Sequence, residues 1–197
     1  MPLTALLAAL GWADDTAAAW REAAAALRVR RATLGAAAPE AANPAKRLAR
    51  VLHDRFVIVY AGSATLGAVA TRWRQQLNEN AKLLAHSALV PELNHNEIVG
   101  WERPSALHRQ ASVLILRDAE DAPEIARRLA LTAEFARRQG AEVHEVSSGD
   151  GGRLTRMACL VQWGDYLSLY LALLRSADPT PIKSIDEFKR RLAVFES

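Results

Sequence analysis

At 197 residues the chain has room for one ordinary domain with an appendage, or at most two small ones, and half of it is hydrophobic, ample for a packed core. A net charge of +3 and a pI near 9.3 look basic, yet 25 Lys and Arg stand against 22 Asp and Glu, spread along the chain rather than gathered in one tract. No cationic stripe with interleaved aromatics is present, which argues against nucleic-acid binding, and the single cysteine, Cys159, excludes an intrachain disulfide or a cysteine-built metal site.

Residues 2–34 are rich in Ala, Leu, Arg and Glu and predict helix, broken at residues 11–15, where Asp14, Asp15 or Thr16 can cap the second piece. Residues 1–10 lack the basic segment of a secretory leader. Nowhere does the chain approach the roughly 18 unbroken apolar residues of a membrane helix, so the expectation is a soluble, cytoplasmic protein without membrane contact. Residues 35–43 read as a small-residue linker. Pro44 then suits the first turn of a helix running to His53, with Asn43 as its cap.

The hydrophobic period then changes. Residues 56–61 and 112–117 are short, β-branched apolar runs that predict strands buried on both faces. Weaker strands fit residues 84–87 and 142–146. Helices are predicted over 64–80, 123–139 (stopped by Gly140), 153–175 and 184–195. Strands alternating with helices imply parallel pairing through right-handed crossovers. The expected fold is therefore α/β: a three-layer α/β/α domain over residues 44–197 with a mainly parallel sheet, preceded by N-terminal helices and a linker in residues 1–43. Ligands of such sheets bind at the carboxyl ends of the strands, and the stretch around Glu79 is expected to fold back toward that edge.

Two polar stretches stand out: Asn78-Glu79-Asn80-Ala81-Lys82, and Pro91-Glu92-Leu93-Asn94-His95-Asn96-Glu97. Amides and carboxylates at this density compete with backbone hydrogen bonds, so they belong in turns, and a turn carrying them is a candidate site as well as a solvated loop. One glutamate and one histidine are the minimal equipment for moving protons near neutral pH. The other histidines (His53, His86, His108 and His144) lack metal-ligand spacing and are expected to be structural. Glu92 and Glu97 either orient His95 or stay solvated. The turn at residues 62–67 is expected to be structural rather than a phosphate loop, and the five tryptophans are expected to be packing groups.

Read together, Arg72-Trp73-x-x-Gln76-Leu77-Asn78-Glu79-Asn80-Ala81-Lys82, the Pro91–Glu97 stretch, and the closing Thr180-Pro181 … Ile185-Asp186-x-Phe188-Lys189-Arg190-Arg191-Leu192 resemble the C-terminal half of the bifunctional phosphoglucose/phosphomannose isomerases of archaea and bacteria. Those enzymes consist of two sugar-isomerase (SIS) domains. The resemblance implies an SIS-type, flavodoxin-like fold and an aldose–ketose isomerase of carbohydrate metabolism, serving glycolysis and gluconeogenesis. It would interconvert glucose 6-phosphate or mannose 6-phosphate with fructose 6-phosphate through a cis-enediol, with no metal or cofactor.

It also implies that Glu79 is the general base, His95 the ring-opening group and Lys189 the cation at the enediolate, with Lys183 as a competitor because the segment leading to Lys189 is longer here than in the family. Asn78 and Asn80 would contact substrate. The family's first SIS domain, with its phosphate loop and catalytic arginine, has no counterpart here. Residues 1–43 are then expected to be a remnant of that domain, and the partner is either a second copy in a homodimer or a missing N-terminal SIS domain. The alternative is a non-catalytic SIS module that binds a sugar phosphate or mediates assembly.

Overall fold

The computed structural model describes residues 2–193. Eight α-helices among them surround one sheet of four parallel strands: β1 (Phe56–Gly62), β2 (Ala85–Val90), β3 (Ala111–Arg117) and β4 (Glu142–Ser147), in the order β2-β1-β3-β4. The helices are α1 (Pro2–Ala9), α2 (Ala17–Leu34), α3 (Pro44–Leu52), α4 (Ser63–Glu79), α5 (Ala106–Gln110), α6 (Pro123–Arg138), α7 (Arg153–Leu174) and α8 (Lys183–Ala193). Residues 194 and 195 of the expected last helix lie outside the described residues. β2 extends three residues beyond its expected end, because its backbone pairs with β1 from Val57↔Ala85 to Gly62↔Val90.

Alternation along β1 and β3 divides the interior in two. Val57, Val59, Ala61, Leu114 and Leu116 face α3, α4 and α7, whereas Ile58, Tyr60, Val113 and Ile115 face α6 and the segment 92–101. Helix α7 is by length and composition apolar enough to cross a membrane, but it serves as the central core helix, flanked by α2, α3 and α4. It meets α4 at Gly164, where a Cβ would lie 2.5 Å from Nε1 of Trp73. That closeness lets the indole N–H donate to Leu160 O at 2.8 Å and the ring stack on Trp163, centroids 5.5 Å apart.

The linker is fastened from inside. Asn43 is fully buried; its Oδ1 accepts the N–H groups of Ala45 and Lys46, and its Nδ2 donates to Leu34 O at 2.9 Å. Tyr170 of α7 donates to the same Leu34 carbonyl at 2.5 Å. The break before α2 falls where expected: Thr16 is the N-cap and makes no side-chain cap bond, while Asp15 Oδ1 accepts from Ala17 N at 2.8 Å.

Candidate active site

Helix α4 runs back from the carboxyl edge of the sheet and delivers Glu79 to the amino edge, just ahead of β2. The side chain of Asn78 closes this junction. Its Nδ2 donates to Arg74 O at 2.8 Å and Ala85 O at 3.3 Å, and its Oδ1 accepts Ala85 N at 3.3 Å, ending the helix and starting the strand. Asn80 turns the other way and donates to Gln76 Oε1 and, at 3.0 Å, to Ser168 Oγ of α7. Both amides are thus hydrogen-bonded within the chain. The stretch does not fold back to the carboxyl edge as its composition suggested, because these bonds pin it to the first residue of β2 and to α7.

Glu79 itself is exposed and makes no side-chain hydrogen bond or ion pair among the described residues. It lines a cavity of about 820 Å³ together with Asn78, Arg74, Lys82, Asp178 and Lys183. Lys183 opens α8 and so reaches the cavity. Lys189 lies about 9 Å further along the same helix, turned to another face, and is not among the lining residues.

His95 sits on the opposite face of the sheet. After β2 a cis Val90–Pro91 bond leads into two 3-10 turns, Glu92–His95 and Glu97–Trp101. Leu93 and Trp101 are buried against the α6 side, and Asn94 donates to Thr132 Oγ1 of α6 at 3.0 Å. Glu97 is held from both ends: Tyr60 OH donates to Oε1 at 2.6 Å, and His86 Nε2 lies 3.1 Å from Oε2. Trp101 Nε1 completes the cluster by donating to Tyr60 OH at 3.2 Å. Burial, then the bond to Glu97 and its charge, push the Tyr60 phenol far above its ordinary pKa, so it stays a donor.

Glu97 therefore does not bond to His95; it fixes the backbone beside it. His95 is exposed between two pinned neighbours, with no side-chain hydrogen bond of its own among the described residues. This cluster escaped sequence reading, although a tyrosine within an otherwise apolar strand signals a buried hydroxyl that needs a partner.

The carboxyl edge is filled by the chain's own charges. Arg156, 2% exposed, donates from Nε to Asp118 at 2.5 Å, from Nη2 to Glu120 at 2.7 Å and from Nη1 to Gly151 O at 2.7 Å. Glu22 of α2 occupies the start of α7, accepting from Gly152 N at 2.8 Å and Thr155 Oγ1 at 2.9 Å. These bonds hold the Glu22 carboxyl below its ordinary pKa, the Gly152 amide contributing most. Of the remaining histidines, His53 pairs with Asp54 and His86 with Glu97, His108 stacks on Trp101, and His144 Nε2 lies 3.7 Å from Glu142 without a hydrogen bond among the described residues.

Known proteins resemble this chain over most of its length. Residues 41–192 match the family model of the bacterial phospho-glucose isomerase C-terminal SIS domain. The chain is 41% identical over 155 residues to the bifunctional phosphoglucose/phosphomannose isomerase of Caldicellulosiruptor bescii, covering 79% of this chain and 46% of that protein. It is 32% identical over 148 residues to the enzyme of the same name from Aquifex aeolicus, covering 75% and 45%. The chain thus spans about half the length of the curated relatives it matches. Among solved structures, a glucose-6-phosphate isomerase like protein from Thermus thermophilus superposes with a TM-score of 0.70 at 25% identity, over 90% of this chain and 56% of that one. The chain belongs to the family of bacterial phospho-glucose isomerase C-terminal SIS domains.

Proposed function

We propose that this chain supplies the proton-transfer groups of an aldose–ketose isomerase that interconverts glucose 6-phosphate or mannose 6-phosphate with fructose 6-phosphate. The observation that carries the reading is the state of Glu79 and His95. Among the described residues both are exposed and have no side-chain hydrogen bond or ion pair, and Glu79 and Lys183 line one cavity of about 820 Å³.

In this mechanism Glu79 removes the proton from C2 of the open-chain aldose and returns it to C1 by way of the cis-enediol. An ammonium beside the developing enediolate lowers the barrier electrostatically. Lys183 lines the cavity and takes that role in preference to Lys189. Asn78 lines the same cavity, while Asn80 shapes the turn that presents Glu79. His95 opens the sugar ring, moving a proton between the ring oxygen and the anomeric hydroxyl.

Because α4 and the segment 92–101 lie on opposite faces of the sheet, the working site is read as built from two chains, with His95 contributed by a second copy. The carboxyl edge is taken up by Arg156, Asp118 and Glu22, so anchoring of the phosphate falls to a further SIS domain of the assembly. The relatives' names support the substrate class. The place proposed for the reaction is cytoplasmic hexose-phosphate interconversion, within glycolysis and gluconeogenesis.

A coupled assay of fructose 6-phosphate formation from each aldose tests the reading, with the chain alone and supplemented with the N-terminal SIS domain of the Caldicellulosiruptor bescii relative. Turnover should appear in at least one arm and fall by about 10²–10⁴ in Glu79→Gln. Full activity in that variant removes Glu79 from the chemistry. Silence in both arms leaves the non-catalytic binding or assembly module as the better reading.

A further inference from the structure

Lys82, in the same polar turn as Glu79, has no part in the chemistry above, yet its geometry is specific. Its backbone has φ +53°, a left-handed conformation that a side chain disfavours and glycine accepts. Its ammonium donates to Glu79 O at 2.8 Å and to Pro181 O at 2.7 Å, a residue 99 positions away. The first bond grips the backbone of the proposed base. The second grips the strap between α7 and α8 that carries Lys183 to the cavity wall.

A second tie lies beside it: Arg175 donates from Nε to Ala81 O at 3.1 Å and pairs with Asp54 at 3.0 Å. Beyond the strap, α8 keeps Ile185, Phe188 and Leu192 at 43%, 64% and 49% exposure. Little of its apolar face is packed, so the strap decides where Lys183 points.

We propose that Lys82 is a positioning residue, a latch that ties the C-terminal strap to the Glu79 turn and so holds Lys183 on the wall of the cavity that Glu79 also lines. Its effect on catalysis rests on the site reading above, but the latch itself can be tested without turnover. A lysine suits the task because one ammonium can donate to two carbonyls at once from a flexible stem. A neutral side chain of similar length, such as methionine, keeps the stem and loses both bonds.

The experiment is amide hydrogen exchange on the full chain, comparing wild type with Lys82→Met, Lys82→Gly and Lys82→Arg. Glycine relieves the left-handed backbone while also removing the latch, so agreement between K82M and K82G separates the latch from backbone strain. Exchange over residues 178–185 should accelerate about tenfold or more in both, with α4 and β2 unchanged, and K82R should retain most of the protection. In the isomerase assay kcat should fall about tenfold with KM little moved, and K82M should add nothing on a Lys183→Met background.

Exchange at the wild-type rate in K82M and K82G overturns the latch. So does a loss of kcat that simply multiplies with that of K183M. Faster exchange alongside full activity of Glu79→Gln would leave the latch standing and remove the catalytic site it was thought to serve.

Discussion

Tyr60 and Glu97 join the core of the sheet to the segment that carries His95: a fully buried phenol donates a 2.6 Å hydrogen bond to a carboxylate that His86 holds from its other oxygen. Bonds of this kind to a charged acceptor stabilise a fold by about 1.5–3 kcal/mol. Tyr60→Phe should lose an amount in that range at pH 7, measured by urea unfolding. The folded pKa of Tyr60 is raised by burial and by Glu97. The folded state therefore keeps this proton at pH values where the unfolded chain releases it. Stability from Tyr60 is present below the unfolded pKa of about 10 and is lost as pH climbs beyond it. Wild type should destabilise more steeply than Tyr60→Phe between about pH 9.5 and 11; equal slopes would mean the phenol is not held as described.

The pair of Arg156 and Asp118 is buried to 3% and 1% side-chain exposure; Asp118 relies on Arg156, while Arg156 also reaches Glu120. Removing one partner strands its mate in the interior, which costs about 3–5 kcal/mol, far more than an exposed ion pair is worth. Arg156→Met should destabilise on that scale, and Asp118→Asn by less, because Arg156 keeps Glu120 and Gly151 O. The double variant should lose clearly less than the two losses combined, because neither charge is then left alone. Glu120, 72% exposed, also reaches Arg156, and Glu120→Gln should be nearly silent in the same denaturation experiment.

Glu22 ties α2 to the start of α7 through Gly152 and Thr155. Its carboxyl is held below the ordinary value, first by the Gly152 amide and then by the Thr155 hydroxyl. The folded chain thus resists protonating it, so its contribution is present above the unfolded pKa of about 4.3 and is lost as pH falls through the lower folded value. The gap in melting temperature between wild type and Glu22→Gln should be open at pH 6 and should close as pH drops below about 4. A gap that stays constant down to pH 3 would separate the carboxylate's charge from this role.

Much of this was legible in the sequence. Residues 56–61 and 112–117 announced themselves because strands buried on both faces must be apolar throughout, and Asn43-Pro44 announced α3 because a cap and a proline at the first turn have few other uses. β2 was harder to see, since Ala85, His86 and Ser87 carry no period and owe their extended form to pairing with β1. Composition also marked residues 78–82 as polar without saying which polar atoms stay free. Asn78 and Asn80 serve backbone and α7, leaving Glu79 open, and only tertiary contacts decide that division. The start of α8 against the cavity puts Lys183 rather than Lys189 among its lining residues, and no local pattern records that placement.

The placement of Glu79 and His95 on opposite faces of the sheet gives a sharp test of a shared site. Glu79 ends a helix in the layer with α7, and His95 lies in the segment packed toward α6, with β2 between them. If each site takes Glu79 from one chain and His95 from a second copy, Glu79→Gln and His95→Ala chains, each inactive alone, can complement one another. A mixed pair joins the histidine of the first to the glutamate of the second and regenerates one intact site, while its other site carries both lesions. Random pairing makes half of the pairs mixed, so the mixture should recover about a quarter of wild-type activity. The recovery should require subunit exchange, appearing after the two are unfolded and refolded together. A mixture that stays as inactive as its components would place the partner of Glu79 within the same chain, and another ring-opening group would then have to be sought along the wall formed by Arg74, Lys82 and Asp178.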